Sequence, residues 1–257
     1  MKFFQFLLTA LIALSVFYFG NSRLKTSSGN IPPVGKFLNP YEGFWQNAEA
    51  TAINVPDVLS LRGLTDQVNI EYDSNLVPHI FAKNKHDLAL ASGFVSASHR
   101  LWQMELLTHN AAGRLSEIIG EPTLQMDRES RRTGMTWSAK KVLEEWNKIP
   151  EIKELIEAYA EGVNLYIQSL SPKDLPVEYK ILDYKPEKWE PLKSALLLKY
   201  MSKLLTTSES DIENTNFVKL HGIDLFNTLF PDNLATDPII PSGTPWNFKS
   251  PLEPAPY

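Results

Sequence analysis

The chain contains no cysteine, and this absence removes several kinds of site at once. Its 257 residues can form no disulfide, offer no thiolate ligand to a metal and supply no cysteine nucleophile. The absence does not decide the cellular compartment, because exported proteins also fold without disulfides. The compartment has to be read from other features of the sequence.

Clustered positive charge is also missing. The chain has 25 Lys and Arg against 30 Asp and Glu, its formal net charge is -5, and its basic residues are scattered among acidic ones. A nucleic-acid-binding surface needs a concentrated basic face, so we expect no nucleic-acid partner. With 43% hydrophobic and 21% charged residues, the composition is that of a globular protein with one large or two small domains.

The short motifs of common catalytic and cofactor sites are absent as well. The five histidines include no His-Glu-x-x-His pair, the 12 glycines form neither Gly-x-Gly-x-x-Gly nor a P-loop, and no Gly-x-Ser-x-Gly occurs. The sequence therefore predicts neither a zinc site nor a nucleotide site, and it nominates no Ser-His-acid triad.

A long hydrophobic run is present at the N-terminus. Lys2 precedes an apolar stretch over residues 3–20 that only three polar residues interrupt. A positive charge before such a run is typical of an export signal or a membrane anchor. Bulky residues follow where a cleavage site needs small ones, which favours an uncleaved anchor. We predict that residues 1–23 are a signal or membrane anchor, that residues 3–20 contact the membrane, and that the protein lies in the periplasm or cell envelope.

The rest of the chain predicts an α+β protein that is mostly helical. Residues 24–64 are rich in Pro, Gly, Ser and Asn, which predicts a stalk and docking segment with little regular structure. Two alternating runs at 68–72 and 77–81 predict a β-hairpin. Apolar residues at steps of three and four then predict a series of helices. A proline-rich tail or linker occupies residues 231–257.

One predicted helix, which should end near Gly113, carries polar residues on a largely apolar surface. Its polar members include Arg100, Gln103, Glu105 and His109. Polar groups on a buried helix need internal partners, and Glu105 and His109 are four residues apart, so they can meet each other.

Asp211 and Glu213 are candidate oxygen ligands for calcium, but residues two apart on a helix point in different directions. From the residues alone, a helix N-terminus capped by Ser210 or Asp211 is the favoured interpretation.

A longer pattern runs through the same region. It comprises Pro-His-Ile-Phe-Ala at 78–82, Gly-Phe-Val-Ser-Ala at 93–97, Arg-Leu-Trp-Gln-Met-Glu at 100–105 and Ala-Gly-Arg-Leu-Ser-Glu at 112–117. The stretches "LQMDRESRRTGM", "YAEGVNLYI", "YKPEKWEP" and "SDIEN" follow in order. Over residues 68–230 this pattern resembles the penicillin acylase (penicillin amidase) family of N-terminal-nucleophile hydrolases. The chain departs from it at His99, where members commonly carry an acid that makes a buried salt link.

The resemblance implies a catalyst outside these residues. Members are made as one precursor that cleaves itself into an α chain and a β chain, and the β chain begins with a Ser. Its hydroxyl attacks the amide while its own α-amine takes the proton, since a free amine with a pKa of ~8 is a usable base at neutral pH. The Ser-Asn-x-Trp pattern typical of that start is absent. The resemblance thus implies an α chain or truncated N-terminal part of an exported amidohydrolase, with no catalytic residue in this chain.

The resemblance also implies a fold, ligands and a partner. The fold is the α portion of a four-layer αββα hydrolase, and residues 65–230 form the α-chain-like domain. Asp211 would share a structural calcium ion with the β chain, and Met201, Leu204 and Leu205 would line the acyl pocket, although all three are equally compatible with an ordinary core. The substrate would be an N-acyl compound: a β-lactam side-chain amide, an acyl-homoserine lactone or a related amide. The partner would be a β chain from the same precursor or a neighbouring gene.

In such an assembly, Arg100, Gln103, Glu105 and Arg114 would lie at the interface between the α and β chains. The isolated chain would then expose apolar surface and be poorly soluble or molten. The alternative is a non-catalytic envelope scaffold or remnant that has lost the catalytic part.

Overall fold

A computed structural model describes residues 2–26, 29–48, 58–206 and 210–231. The chain divides into two compact units, Met1–Leu205 and Thr206–Tyr257. Of the predicted proline-rich tail, all but Pro231 lies outside the described residues.

The first unit begins with a long apolar helix and a series of short elements. They are α1 (Lys2–Asn21), the antiparallel strands β1 (Leu24–Thr26) and β2 (Gly29–Ile31), and the four-residue helices α2 (Val34–Phe37) and α3 (Trp45–Ala48). Helix α1 is long and apolar enough to cross a membrane. The helix of a signal sequence has the same length and composition. The four short elements give residues 24–48 more regular structure than their composition predicts.

The predicted hairpin is present and slightly shorter than predicted. Strands β3 (Asn69–Tyr72) and β4 (Pro78–Phe81) pair antiparallel, with Ile70 opposite Ile80. In the turn, the Asp73 carboxylate accepts hydrogen bonds from the backbone N–H groups of Asn75 and Val77. This is the Asx-type turn that an Asp-Ser-Asn sequence favours.

The predicted polar helix is α4 (Lys85–Ala112). Asn84 caps its start by accepting a hydrogen bond from Asp87 N–H, and Gly113 ends it in the left-handed conformation that glycine adopts without steric cost. The backbone of Arg100 leaves helical geometry, with φ -140° and ψ 20°, so α4 is kinked there. Arg100 and Gln103 are exposed, contrary to the expectation of internal partners, so water can satisfy their polar groups.

The remaining elements of the first unit are helices. They are α5 (Leu115–Ile118), a 3₁₀ turn (Glu121–Thr123), α6 (Leu124–Arg132), α7 (Met135–Trp146), α8 (Pro150–Ser169), α9 (Val177–Ile181) and α10 (Pro191–Leu204). The described part of the chain is therefore mostly helical, with two small two-stranded sheets.

The centre of this unit is the contact between α4 and α8. A Cβ atom placed on Gly162 would lie 1.9 Å from the carbonyl oxygen of Leu90, and one on Gly93 would lie 2.1 Å from that of Tyr159. The two glycines therefore let the helix backbones approach directly. A core cluster surrounds the crossing: Ala97, Leu101, Met104, Ala160, Val163, Tyr179 and Trp189.

The second unit contains two described helices, α11 (Asp211–His221) and α12 (Ile223–Leu229). The ring of Phe217 packs 6.2 Å from Phe226 and 5.8 Å from Phe230, which holds the pair together. Ser210 occupies the N-cap position of α11, as predicted, but its side chain makes no capping hydrogen bond there.

Candidate functional site

A cluster of buried and partly buried charges lies where α4 meets α10. We call it the buried charge cluster and define it as Glu105 and His109 of α4, Arg114 after that helix, Glu187 of the loop before α10, and Lys193 in the first turn of α10. Glu105 and His109 are almost completely buried. The predicted meeting of these two residues is confirmed, since His109 Nδ1 lies 3.6 Å from Glu105 Oε1.

Lysine and arginine side chains compensate the two carboxylates of the cluster. Lys193 Nζ lies 2.8 Å from Glu105 Oε1 and 3.1 Å from Glu187 Oε2, and Arg114 donates to both oxygens of Glu187. Burial raises the pKa of the Glu187 carboxyl, but Arg114 and Lys193 outweigh it and hold that pKa at about 2. The Glu187 carboxylate is therefore ionised and paired at neutral pH.

Tyr184 completes the hydrogen bonding of the histidine. His109 Nδ1 lies 3.0 Å from the backbone oxygen of Glu105, and its Nε2 lies 3.2 Å from the Tyr184 hydroxyl. Burial, together with the negative charge of Glu105, raises the pKa of Tyr184 above its usual range, so the phenol stays neutral.

The cluster has the residue types of a metal site, but a lysine takes the position of the cation. Ligand atoms of Glu105, His109 and Glu187 lie within 4.8 Å of one another, and among the described residues they are the group with three such side chains. The ammonium group of Lys193 sits within hydrogen-bonding distance of both carboxylates. The arrangement can thus join α4, α10 and the loop that precedes α10 without an ion.

Sequence reasoning missed Glu187 and Lys193 as partners of this helix. Glu187 belongs to "YKPEKWEP", and Lys193 interrupts the apolar start of α10. A charged residue within the apolar first half of a helix is the signal that could have found Lys193. Glu105 was expected at an interface with a second chain, and that placement is wrong, because its partners belong to this chain.

A cavity of 710 Å³ lies beside the cluster. Its lining mixes acidic groups such as Glu117 and Glu190 with basic groups such as Lys140 and Lys188. The charges of the cluster itself are paired with one another, so the lining does not single out one ionic ligand.

The three residues predicted to line an acyl pocket lie at the C-terminal end of α10. Met201, Leu204 and Leu205 expose 46%, 64% and 74% of their surface. Leu204 lines a cavity of 290 Å³ with Met126 and Met135, and neither Met201 nor Leu205 contributes to it. The three side chains are thus available for contact, and their role in substrate binding stays a prediction.

Asp211, the predicted calcium ligand, is the first residue of α11 and is exposed. The described parts of the chain hold no group of three His, Asp or Glu side chains that includes it. Its role also stays a prediction.

Comparison with known proteins identifies relatives over the helical region. The family model for penicillin amidase matches residues 67–243. A penicillin acylase 2 proenzyme from a Pseudomonas species is 37% identical over 147 residues, which are 57% of this chain and 18% of the relative. An acyl-homoserine lactone acylase from Pseudomonas aeruginosa is 32% identical over 175 residues, which are 68% of this chain and 20% of the relative.

A solved structure shares the fold. Penicillin G acylase from Alcaligenes faecalis superposes with a TM-score of 0.56 and 22% sequence identity, covering 67% of this chain and 95% of the solved chain. The chain spans 18% and 20% of the two curated relatives just described, so their activities describe those longer proteins. Because the family model matches more than half of its residues, the chain belongs to the penicillin amidase family.

Proposed function

We propose that this chain is the α-chain portion of an exported penicillin acylase-type amidohydrolase. The observation that carries the proposal is a contrast in coverage. The chain matches 18% of a penicillin acylase proenzyme, yet it matches 95% of one solved penicillin G acylase chain. This contrast supports an α-chain portion of a two-chain enzyme, whose fold would be the α part of a four-layer αββα assembly.

In this proposal the nucleophile is a Ser at the start of a β-chain portion. Its hydroxyl adds to the amide carbonyl, its α-amine accepts the proton, the amine product leaves, and water then releases the acid. This chain would contribute binding surface instead of reacting groups. The exposed end of α10, with Met201, Leu204 and Leu205, would contact the acyl group, since apolar side chains suit a hydrophobic acyl chain.

The substrate class is an N-acyl amide. The names of the relatives support two candidates, a penicillin side chain and an acyl-homoserine lactone. Calcium, held in part by Asp211, would be structural. Export would proceed through the apolar helix α1, which is either a signal or a membrane anchor, to the periplasm or cell envelope.

The test is isolation of the chain from its native cell envelope, with identification of co-purifying polypeptides by mass and N-terminal sequencing. We expect a stoichiometric partner that begins with Ser. The preparation is then assayed against penicillin G, a phenylacetyl amide and a long-chain acyl-homoserine lactone, with release of the free acid as the readout.

Hydrolysis of one of these amides by the two-chain preparation supports the proposal, and the preferred acyl group defines the substrate. A chain that purifies without a partner and releases no acid would contradict it. That result would favour the alternative of a non-catalytic envelope scaffold.

A further inference from the structure

The short helix α2 packs against the end of the apolar helix α1. A Cβ atom on Gly35 of α2 would lie 2.9 Å from Asn21 Oδ1 and 3.4 Å from the carbonyl oxygen of Gly20. The chain therefore turns back at the last residues of α1 and packs against them. Residues 3–21 of α1 have the length and composition of a membrane span, and none of these residues is buried in the protein.

Directly after this contact the chain exposes large apolar side chains. We call them the aromatic patch and define it as Val34, Leu38, Tyr41 and Trp45. Tyr41 exposes 80% and Trp45 50% of its surface, and Val34 and Leu38 are also exposed. Val34 and Leu38 are four residues apart and lie on one side of α2.

Aromatic ring contacts connect Trp45 of the patch to its neighbours in the chain. The rings of Phe37 and Phe44 stack at 4.9 Å, and Trp45 lies 4.2 Å from Phe44. The backbone N–H of Phe44 donates to the carbonyl of Phe37. These contacts hold the position of Trp45, because Phe37 and Phe44 bring the two ends of the loop between α2 and α3 together.

Other atoms of the same segment are bound to the helical part of the first unit. Lys180 Nζ donates to the carbonyl of Gly43 at 3.0 Å and to Asn47 Oδ1 at 2.6 Å. Asn47 Nδ2 in turn donates to the carbonyl of Leu175. The segment thus contacts α1 through Gly35 and α9 through Lys180, whereas the described part of the chain gives the side chains of Tyr41 and Trp45 no hydrogen-bond partner.

Ion pairs add a second attachment at the end of α1. Asp183 pairs with Arg23, at 3.1 Å, and with Lys36. Burial raises the pKa of Asp183, but hydrogen bonds from Lys36 and Arg23 outweigh it and lower that pKa. The carboxylate is charged at neutral pH, so its ion pairs with Arg23 and Lys36 hold the segment after α1 against the loop that contains Asp183.

We propose that the aromatic patch lies in the headgroup layer of the bilayer that α1 enters, and that its partner is the lipid surface. Trp and Tyr are favoured at this depth because their rings are apolar at one end and polar at the other. The patch begins in α2, which packs against the last residues of the membrane-length helix, and this contact places it where the headgroups begin. The proposal goes beyond amide hydrolysis and requires that α1 stays in the membrane.

Because the chain lacks cysteine, a single introduced cysteine can be labelled without background. The full chain, together with any polypeptide that co-purifies with it, is prepared as Tyr41→Cys, Trp45→Cys, Leu11→Cys and Trp137→Cys variants, each carrying an environment-sensitive fluorophore. Leu11 lies within α1, and Trp137 is an exposed tryptophan of α7 that serves as the matched control for Trp45. The variants are reconstituted in phosphatidylcholine–phosphatidylglycerol vesicles, and quenching by lipids brominated near the headgroup is measured.

We expect quenching at positions 41 and 45 to exceed that at position 137 by about twofold or more, as for interfacial side chains. Equal quenching at 41, 45 and 137 would overturn the proposal. So would an unquenched label at position 11 with deep-brominated lipids, because α1 would then be outside the bilayer. Val34→Cys gives an independent reading should a substitution at Trp45 disturb the loop. The readout needs no catalysis, so its outcome is separate from that of the amidase test.

A protein could cover the patch instead of lipid. In that case the co-purifying chain would protect labels at 41 and 45 from a water-soluble quencher in detergent. In vesicles without that chain, the same labels would remain accessible to the quencher. This result would also overturn the lipid assignment.

Discussion

Glu105 shows how one carboxylate connects several parts of the chain. It accepts hydrogen bonds from Lys193 Nζ, from the Tyr184 hydroxyl and from the backbone N–H of Glu187 while it is fully buried. Removing a charge from a buried pair leaves the partner charge without compensation, which costs far more than removing an exposed one. Loss of the Glu105 charge alone should therefore destabilise the fold. Replacing the whole buried ion pair by well-packed apolar residues would cost much less.

We predict that Glu105→Gln lowers the free energy of unfolding by about 3–5 kcal/mol. The matched control is Glu117→Gln, since Glu117 pairs with Arg114 of the same cluster but is exposed, and its loss should cost about 1 kcal/mol or less. Urea denaturation of the protein purified from its native envelope measures both. Equal losses for the two variants would show that burial does not set the strength of these pairs.

Asp211 is the residue at which the proposed calcium site is tested. We predict that Asp211→Ala weakens calcium binding to the assembled protein about tenfold or more, because a carboxylate ligand is lost. Asp224→Ala is the control, since Asp224 is likewise an exposed acid in the first turn of a helix. Isothermal titration with calcium is the measurement, and unchanged affinity in Asp211→Ala would remove this residue from any such site.

At the scale of elements, the crossing of α4 and α8 depends on two glycines. We predict that Gly162→Ala lowers the free energy of unfolding by about 2 kcal/mol or more, since the new methyl group meets the Leu90 carbonyl and the helices must separate. The better helix propensity of alanine offsets about 1 kcal/mol of the clash. Gly20→Ala is the control, because nothing lies within 4 Å of a Cβ at that position. Urea denaturation in which Gly162→Ala matches the parent would contradict this close approach.

The elements that sequence reasoning predicted are those with strong local signals. Gly113 ends α4 as expected, because a left-handed C-cap is a property of the residue itself, and the Asp-Ser-Asn turn set the hairpin. The kink at Arg100 was not predicted, because no proline or glycine marks it. The partners of Glu105 were not predicted either, since Lys193 is 88 positions away and only tertiary packing brings it near.

At the scale of the whole molecule, apolar surface remains exposed far from the N-terminal helix. Leu76 and Val77 of the hairpin turn, Leu124 of α6 and the end of α10 are examples. Large contiguous apolar patches are rare on monomeric soluble proteins, and the proposed partner chain would cover these side chains.

We predict that the isolated chain unfolds without a sharp cooperative transition and that a β-chain partner produces one. At a free partner concentration 100-fold above its Kd, the gain in stability is ~2.7 kcal/mol. Circular dichroism during heating, with and without the partner, is the measurement. A sharp transition in the isolated chain, unchanged by the partner, would show that the exposed surface is not an interface between chains.

Gly93 and Gly162 also limit how this sequence can diverge during evolution. Each faces a backbone carbonyl of the opposite helix, and a mutation cannot remove a carbonyl. A smaller residue at one position therefore cannot relieve the steric clash of a larger residue at the other, so selection acts on each glycine separately. Although the two positions lie at one helix crossing, an alignment of descendants should show both as nearly fixed and no covariation between them.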